Sequence, residues 1–138
     1  MADVQIHVGD QGKVTDLLKV AQSSSKDGLW DVIVDDGSHI NAHQILTVET
    51  LIPFLNRGGF FIVEDISSAC ANWTANMGSY LGPGVGGSAD CMGTIEKPSI
   101  YRKIVQWQKQ LLNANSPFKG VDHIDINFQS VVIEKNFP

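Results

Sequence analysis

The stretch that decides the fold is Asp31–His43, D-V-I-V-D-D-G-S-H-I-N-A-H. Val32, Ile33 and Val34 make the Asp31–Asp35 run apolar on both faces, as in a parallel strand covered on both sides. The run ends abruptly in Asp35, Asp36, Gly37, Ser38 and His39. A helix is predicted next, over Asn41–Asn56. Ile45, Val48, Ile52 and Leu55, joined by Leu51, form its core stripe, and Gly58-Gly59 is its stop. Pro53 predicts a kink in the last turn.

Working outward, Val4–Val8 alternates β-type residues and ends at Gly9-Asp10-Gln11, a strand feeding a turn. Val14–Gln22 places Val14, Leu17, Leu18 and Ala21 on one helical face, and Ser23–Gly28 is a polar loop. Phe60–Val63 is a third buried strand, again ending in acids, Glu64 and Asp65. Strand, helix, strand, helix, strand is the pattern of a doubly wound parallel sheet. Ile100–Asn115 returns to helix, with Ile100, Ile104, Trp107 and Leu111 at core spacing. Ile124–Phe128 and Val131–Glu134 read as an antiparallel strand pair at the sheet's edge. Between them Ser67–Pro98 is irregular and longer than ordinary connections, which predicts a lid, an insertion or a partner surface.

The 138 residues suit one domain, 1–138, and 43% hydrophobic with 18% charged residues suit a folded chain. A net charge of −5 with no basic stripe excludes a nucleic-acid backbone as the main partner. The N-terminus lacks a signal peptide's basic start and apolar core, and no run approaches the ~20 apolar residues of a membrane span. A soluble, intracellular protein is expected. Cys70 and Cys91 have no metal-ligand spacing; two free thiols in a reducing compartment are the favoured expectation, with a disulfide as the alternative.

In open α/β sheets ligands sit beyond the carboxyl ends of the strands. All three predicted parallel strands deliver polar groups there: Asp10 and Gln11, then Asp35, Asp36 and His39, then Glu64 and Asp65. Converging carboxylates repel one another, and a hard cation such as magnesium relieves them, with Asp36, Glu64 and Asp65 as ligands. His39, one turn beyond Asp36, is the side-chain type suited to taking a proton from a metal-polarised hydroxyl. Singly, each residue has a plainer reading: Asp36 or Ser38 caps a helix, and His39 and Asp65 are solvated turn residues. Together they form a constellation.

His43 follows His39 at helical spacing, but Ile40-Asn41-Ala42 lacks the glutamate of zinc proteases, so His43 is read as a packing or supporting residue. His7 and His123 fall in predicted strands and are read as structural. Gly82–Gly87, G-P-G-V-G-G, matches G-x-G-x-x-G but follows no strand and opens no helix, so it is read as a flexible loop. Trp107 is at core spacing, whereas Trp73 and Tyr80 in the long segment are candidate ligand or partner contacts.

V-G-D-Q, then W-D-V-I-V-D-D-G-S-H-I-N-A-H-Q, then L-I-P-F-L-N-R-G-G-F-F-I-V-E-D resembles the C-terminal half of class I S-adenosylmethionine-dependent methyltransferases. The likeness is to their magnesium-dependent sugar O-methyltransferases of macrolide and rhamnosyl type, and it runs over Val8–Asp65. It implies a Rossmann-like α/β half-domain, parallel strands with a C-terminal antiparallel pair. It also implies that Asp10 and Gln11 flank the adenine of S-adenosylmethionine, that Asp36, Glu64 and Asp65 hold magnesium under the sugar hydroxyls, and that His39 is the general base. Such enzymes carry an upstream strand and glycine-rich turn for the cofactor's methionine end, and a second strand whose acid binds the ribose. The present sequence begins after both. That leaves the Asp31–Asp35 strand with an exposed edge and predicts association with another chain or with itself. Three functions follow: the metal and acceptor portion of a sugar or small-molecule O-methyltransferase, a non-catalytic pseudoenzyme serving assembly, and, on weaker grounds, a metal-dependent hydrolase without an identifiable nucleophile.

Overall fold

The computed structural model describes residues 4–24, 28–70 and 90–136. Its elements run α1 (Val14–Ser24), β1 (Trp30–Asp35), α2 (Asn41–Leu51), β2 (Leu55–Val63), α3 (Ile100–Leu112), β3 (Val121–Ile126) and β4 (Val131–Lys135). Short 3-10 turns occupy Ile52–Phe54 and Ile66–Ala69. The four strands form one sheet in the order β1-β2-β4-β3. β1 and β2 are parallel, with Asp35 opposite Val63, whereas β4 is antiparallel to both β2 and β3. The expected α/β architecture, with its C-terminal antiparallel pair, is present.

Helices cover one face of the sheet. Ile33, Phe61, Val63, Val131 and Ile133 point into a core with Ala21 of α1, Ile45, Val48 and Leu51 of α2, and Ile100, Ile104 and Trp107 of α3. On the other face Val32 and Val34 are 56% and 53% exposed and Phe60 is exposed beside them, whereas Ile62 and Val132 are half-buried. The expectation that β1 is covered on both sides is therefore corrected. Its alternate residues divide between a helical layer and solvent, although a parallel sheet is ordinarily covered on both faces.

Several boundaries also differ from expectation, β3 among them, which spans Val121–Ile126 and not Ile124–Phe128. Residues 4–8 form no strand, and Val4, Ile6 and Val8 are all exposed. Their alternation is strand-like, but among the described residues no strand pairs with them, and an extended segment needs a ladder to become one. α2 stops at Leu51, not Asn56, because Pro53 enters a 3-10 turn directly after it. Gly58 and Gly59 consequently lie inside β2. α3 ends at Leu112, and its start is fixed by Ser99, whose Oγ accepts from Arg102 N at 3.2 Å.

Cys70 and Cys91 form a disulfide, which corrects the expectation of two free thiols. The bond joins the end of the Ile66–Ala69 turn to the approach to α3, a proximity that a separation of 21 residues does not reveal in sequence. Among the described residues no helix is long and apolar enough to cross a membrane. Trp73, Tyr80 and Gly82–Gly87 lie outside the described residues.

Candidate functional site

β1 and β2 finish side by side, and Glu64 N extends their pairing by donating to Asp35 O at 3.0 Å. The residues just past both strands are thereby forced together. Asp36, His39 and Asp65 each offer a ligand atom, all within 4.8 Å of one another. His39 Nε2 lies 3.7 Å from Asp65 Oδ2, an ion pair when the imidazole is protonated. Glu64, also expected as a ligand, is exposed and outside this cluster; its backbone carbonyl accepts from Gln44 Nε2 at 3.0 Å.

Two members of the cluster hold backbone conformations that non-glycine residues rarely adopt: φ is 54° at His39 and 51° at Asp65. Such positions cost about 1 kcal/mol or more each and persist only where the surroundings impose them. Here they do. Ser68 Oγ donates to the His39 carbonyl at 2.9 Å, and Ser68 N donates to the Asp65 carbonyl at 3.0 Å. One buried serine thus ties the two strained residues to each other.

The turn between β1 and α2 is held from beneath by Gln11. Its Nε2 donates to Asp35 Oδ1 at 2.7 Å and to Thr47 Oγ1 at 3.1 Å, while its Oε1 accepts from Ser38 N at 2.9 Å. Both N–H donors of that amide, and one of the two lone pairs of its oxygen, are engaged within the chain. His43, on the first turn of α2, meets Ser38 Oγ through Nδ1 at 2.9 Å. It therefore supports the motif rather than joining the cluster. Gly37 has no room for a side chain, because a Cβ there would collide with Gln11 Oε1. At Gly12 a Cβ would meet His43 Nε2 at 2.6 Å.

Asp35 is buried, and burial pushes its carboxyl above the usual carboxylate range, against hydrogen bonds from Gln11 and Gly37 that pull it down. Its Oδ2 has no hydrogen-bond partner among the described residues. Asp10, by contrast, is exposed. Lys13 at 3.0 Å and Gly12 N at 2.9 Å hold its carboxyl below the usual range and tie it to the start of α1. His7 is exposed outside any strand, and His123 is exposed on β3. Trp107 is core, as expected.

Sequence reasoning did not find Ser68, Thr47 or Gln44 as parts of this site. Ser68 lies three residues past Asp65, and Thr47 and Gln44 lie on the inward face of α2, positions that read as packing.

No protein-family model matches the chain. The mycinamicin VI 2''-O-methyltransferase of Micromonospora griseorubida is 38% identical over 131 residues, 93% of this chain and 29% of that protein. The 8-demethyl-8-alpha-L-rhamnosyl tetracenomycin-C 2'-O-methyltransferase of Streptomyces olivaceus is 40% identical over 73 residues, 53% of this chain and 18% of that protein. Among solved structures, the MycE methyltransferase of the mycinamycin biosynthetic pathway, in complex with Mg, SAH and mycinamycin VI, superposes with a TM-score of 0.68 at 23% identity. The match covers 94% of this chain and 31% of that one. The chain thus resembles macrolide and rhamnosyl sugar O-methyltransferases and shares their fold, over less than a third of their length.

Proposed function

We propose that this chain is the metal and acceptor portion of a magnesium- and S-adenosylmethionine-dependent sugar O-methyltransferase. The observation that carries the reading is the convergence of Asp36, His39 and Asp65 at two adjacent parallel strand ends, two of them in strained conformations. An oxygen-rich pair of carboxylates beside one imidazole fits a hard divalent cation. Asp36 and Asp65 would hold it, with the exposed Glu64 at the rim. What magnesium supplies when bound is orientation of the acceptor's hydroxyl oxygens and an easier loss of their proton.

His39 takes that proton at Nε2. The imidazolium so formed faces Asp65 Oδ2, whose charge stabilises it in place. The strained backbone at His39, pinned through Ser68, fixes the ring's approach before the acceptor arrives.

The methyl donor fits these residues less well. Gln11 has committed its amide to Asp35, Thr47 and Ser38, and Asp10 is paired with Lys13, although its carboxylate remains exposed. No step through the donor follows from them. A further polypeptide segment, in this protein or in a partner, would have to hold it.

Manganese titration followed by electron paramagnetic resonance tests the metal reading. The unaltered chain should bind the ion, Asp36→Asn and Asp65→Asn should each weaken it about 10- to 100-fold, and His39→Ala should leave it nearly intact. Equal affinity in all four proteins would overturn the proposal. The bare sheet face favours a second reading, a methyltransferase-derived subunit serving assembly, in which Val32, Val34 and Phe60 are covered by protein. A stable, monodisperse monomer in sedimentation equilibrium would count against it.

A further inference from the structure

At the end of the sheet opposite the acidic cluster, the helical face opens into a cavity of about 740 Å³. The last turn of α2 and the Ile52–Phe54 turn form one wall, α3 the second, and residues 117–119 with Lys135 of β4 the third. β1 does not contribute, so the cavity is independent of the bare face and of the proposed metal cluster. Its volume is in the range of small-molecule sites.

The floor is apolar. Ile52 and Trp107 are almost fully buried, and Phe118 packs its ring against Trp107 in an edge contact, centroids 5.2 Å apart. The rim is cationic. Lys103, Lys119 and Lys135 all line the cavity, against one carboxylate, Glu49. That carboxylate is already committed to Lys103 at 3.1 Å. Two lysines are then left over in a chain whose net charge is −5.

Lys135 is half-buried, donates from Nζ to the Leu55 carbonyl at 2.8 Å, and makes no ion pair among the described residues. Burial, and secondarily the charge of Lys119, push its ammonium below the usual lysine range. Like charges held together beside an apolar floor are unfavourable in the free protein and favourable once an anion lies between them. Gln106 and Gln110, one turn apart on α3, add amide donors to the same rim.

We propose that this cleft binds a small organic anion, a phosphate or carboxylate carried on an apolar or aromatic body. The anionic group would sit between Lys119 and Lys135, and the body would cover the Ile52–Phe118 floor. The proposal does not depend on the methyltransferase reading.

Phenyl phosphate, titrated into the full ¹⁵N-labelled chain at low salt, is the probe. Saturable shifts are expected at the amides of Gln110, Phe118 and Lys119, with none at Asp36, His39 or Asp65. Inorganic phosphate and benzyl alcohol, each supplying half of the ligand, should bind at least about ten-fold more weakly, and ~0.5 M salt should weaken phenyl phosphate strongly. Lys119→Gln alters an exposed side chain and should retain the fold while lowering affinity about five-fold. Lys135→Gln should lower it further, and Lys135→Arg should restore it, separating charge from the bond to Leu55. No saturable shift up to about 5 mM, shifts centred on the acidic cluster, or binding by Lys119→Gln and Lys135→Gln as tight as by the unaltered chain would each overturn the proposal.

Discussion

Gln11→Ala should destabilise the protein by about 2–4 kcal/mol, a large effect for a half-buried polar residue near the N-terminus. The magnitude follows from its three contacts. The amide ties Asp35, Thr47 and Ser38 together across sequence separations of 24, 36 and 27 residues. Each hydrogen bond contributes about 0.5–1.5 kcal/mol net, and a buried acceptor left unsatisfied costs about 1–3 kcal/mol. Asp35 is the acceptor at risk. Its Oδ2 already lacks a partner, and Oδ1 would retain the Gly37 N–H at 3.2 Å but lose the shorter bond at 2.7 Å. For a domain of this size the loss corresponds to a melting temperature lower by about 8–16 °C. Thermal and urea unfolding followed by circular dichroism measure it, with exposed Gln22→Ala of α1 as the control. Gln11→Glu sharpens the test. It sets a second carboxyl group against Asp35, so its stability should fall further near neutral pH and recover in part on acidification, when one of the two carries a proton. A loss under about 0.5 kcal/mol in Gln11→Ala, with no pH dependence in Gln11→Glu, would show that the amide is solvated and that the turn stands without it.

Gly37→Ala should cost about 1–3 kcal/mol because its Cβ collides with the Gln11 amide; in the Gln11→Ala background most of that cost should vanish, a coupling read from a double-mutant cycle. Reduction of Cys70–Cys91, or the Cys70→Ser/Cys91→Ser double variant, should lower stability by about 3 kcal/mol, measured by urea unfolding with and without reductant. Asp35 has a folded-state pKa raised by burial above its ordinary 3.8, so its contribution is fully present below that value and is lost as pH rises through the folded one. Asp35→Asn should therefore flatten the fall in urea midpoint between acid and neutral pH, and an unchanged slope would assign that fall elsewhere.

Much of this was legible in the sequence because the signals were local. The apolar run at Val32–Val34, the helical stripe through Ile45, Val48 and Leu51, and the acids ending Phe60–Val63 each occupy a few neighbouring residues. Parallel pairing of the two runs then brings Asp36 and Asp65 together without further information. What escaped was set by distant partners. Val4–Val8 alternates like a strand, yet pairing is a property of two segments, and among the described residues the second is absent. The bonds of Gln11 to Asp35, Thr47 and Ser38 also escaped, because which partners an amide takes is decided in three dimensions. The left-handed backbones at His39 and Asp65 carry no glycine to announce them. The partnership of Cys70 with Cys91 likewise depends on how the intervening chain returns.

Among the described residues, the hydrogen bonds around the acidic cluster come from the segment before α1, from α2 and from the turn after β2. Gln11 precedes α1, Thr47, Gln44 and His43 belong to α2, and Ser68 lies in the buried turn after β2. Val32, Val34 and Phe60, exposed on the opposite face of the sheet, are not among these supports. On the proposed function, cation binding and methyl-donor binding can be tested separately. On the proposed reading, cation binding at Asp36 and Asp65 is expected of this chain, whereas donor binding would have to compete with the bonds of Asp10 to Lys13 and of Gln11 to Asp35. A chain that binds manganese at Asp36 and Asp65 yet shows no affinity for S-adenosylmethionine would fit that division. Tight S-adenosylmethionine binding by this chain alone, measured by calorimetry, would refute it, because the donor would then be held by the Asp10–Gln11 turn despite its internal bonds.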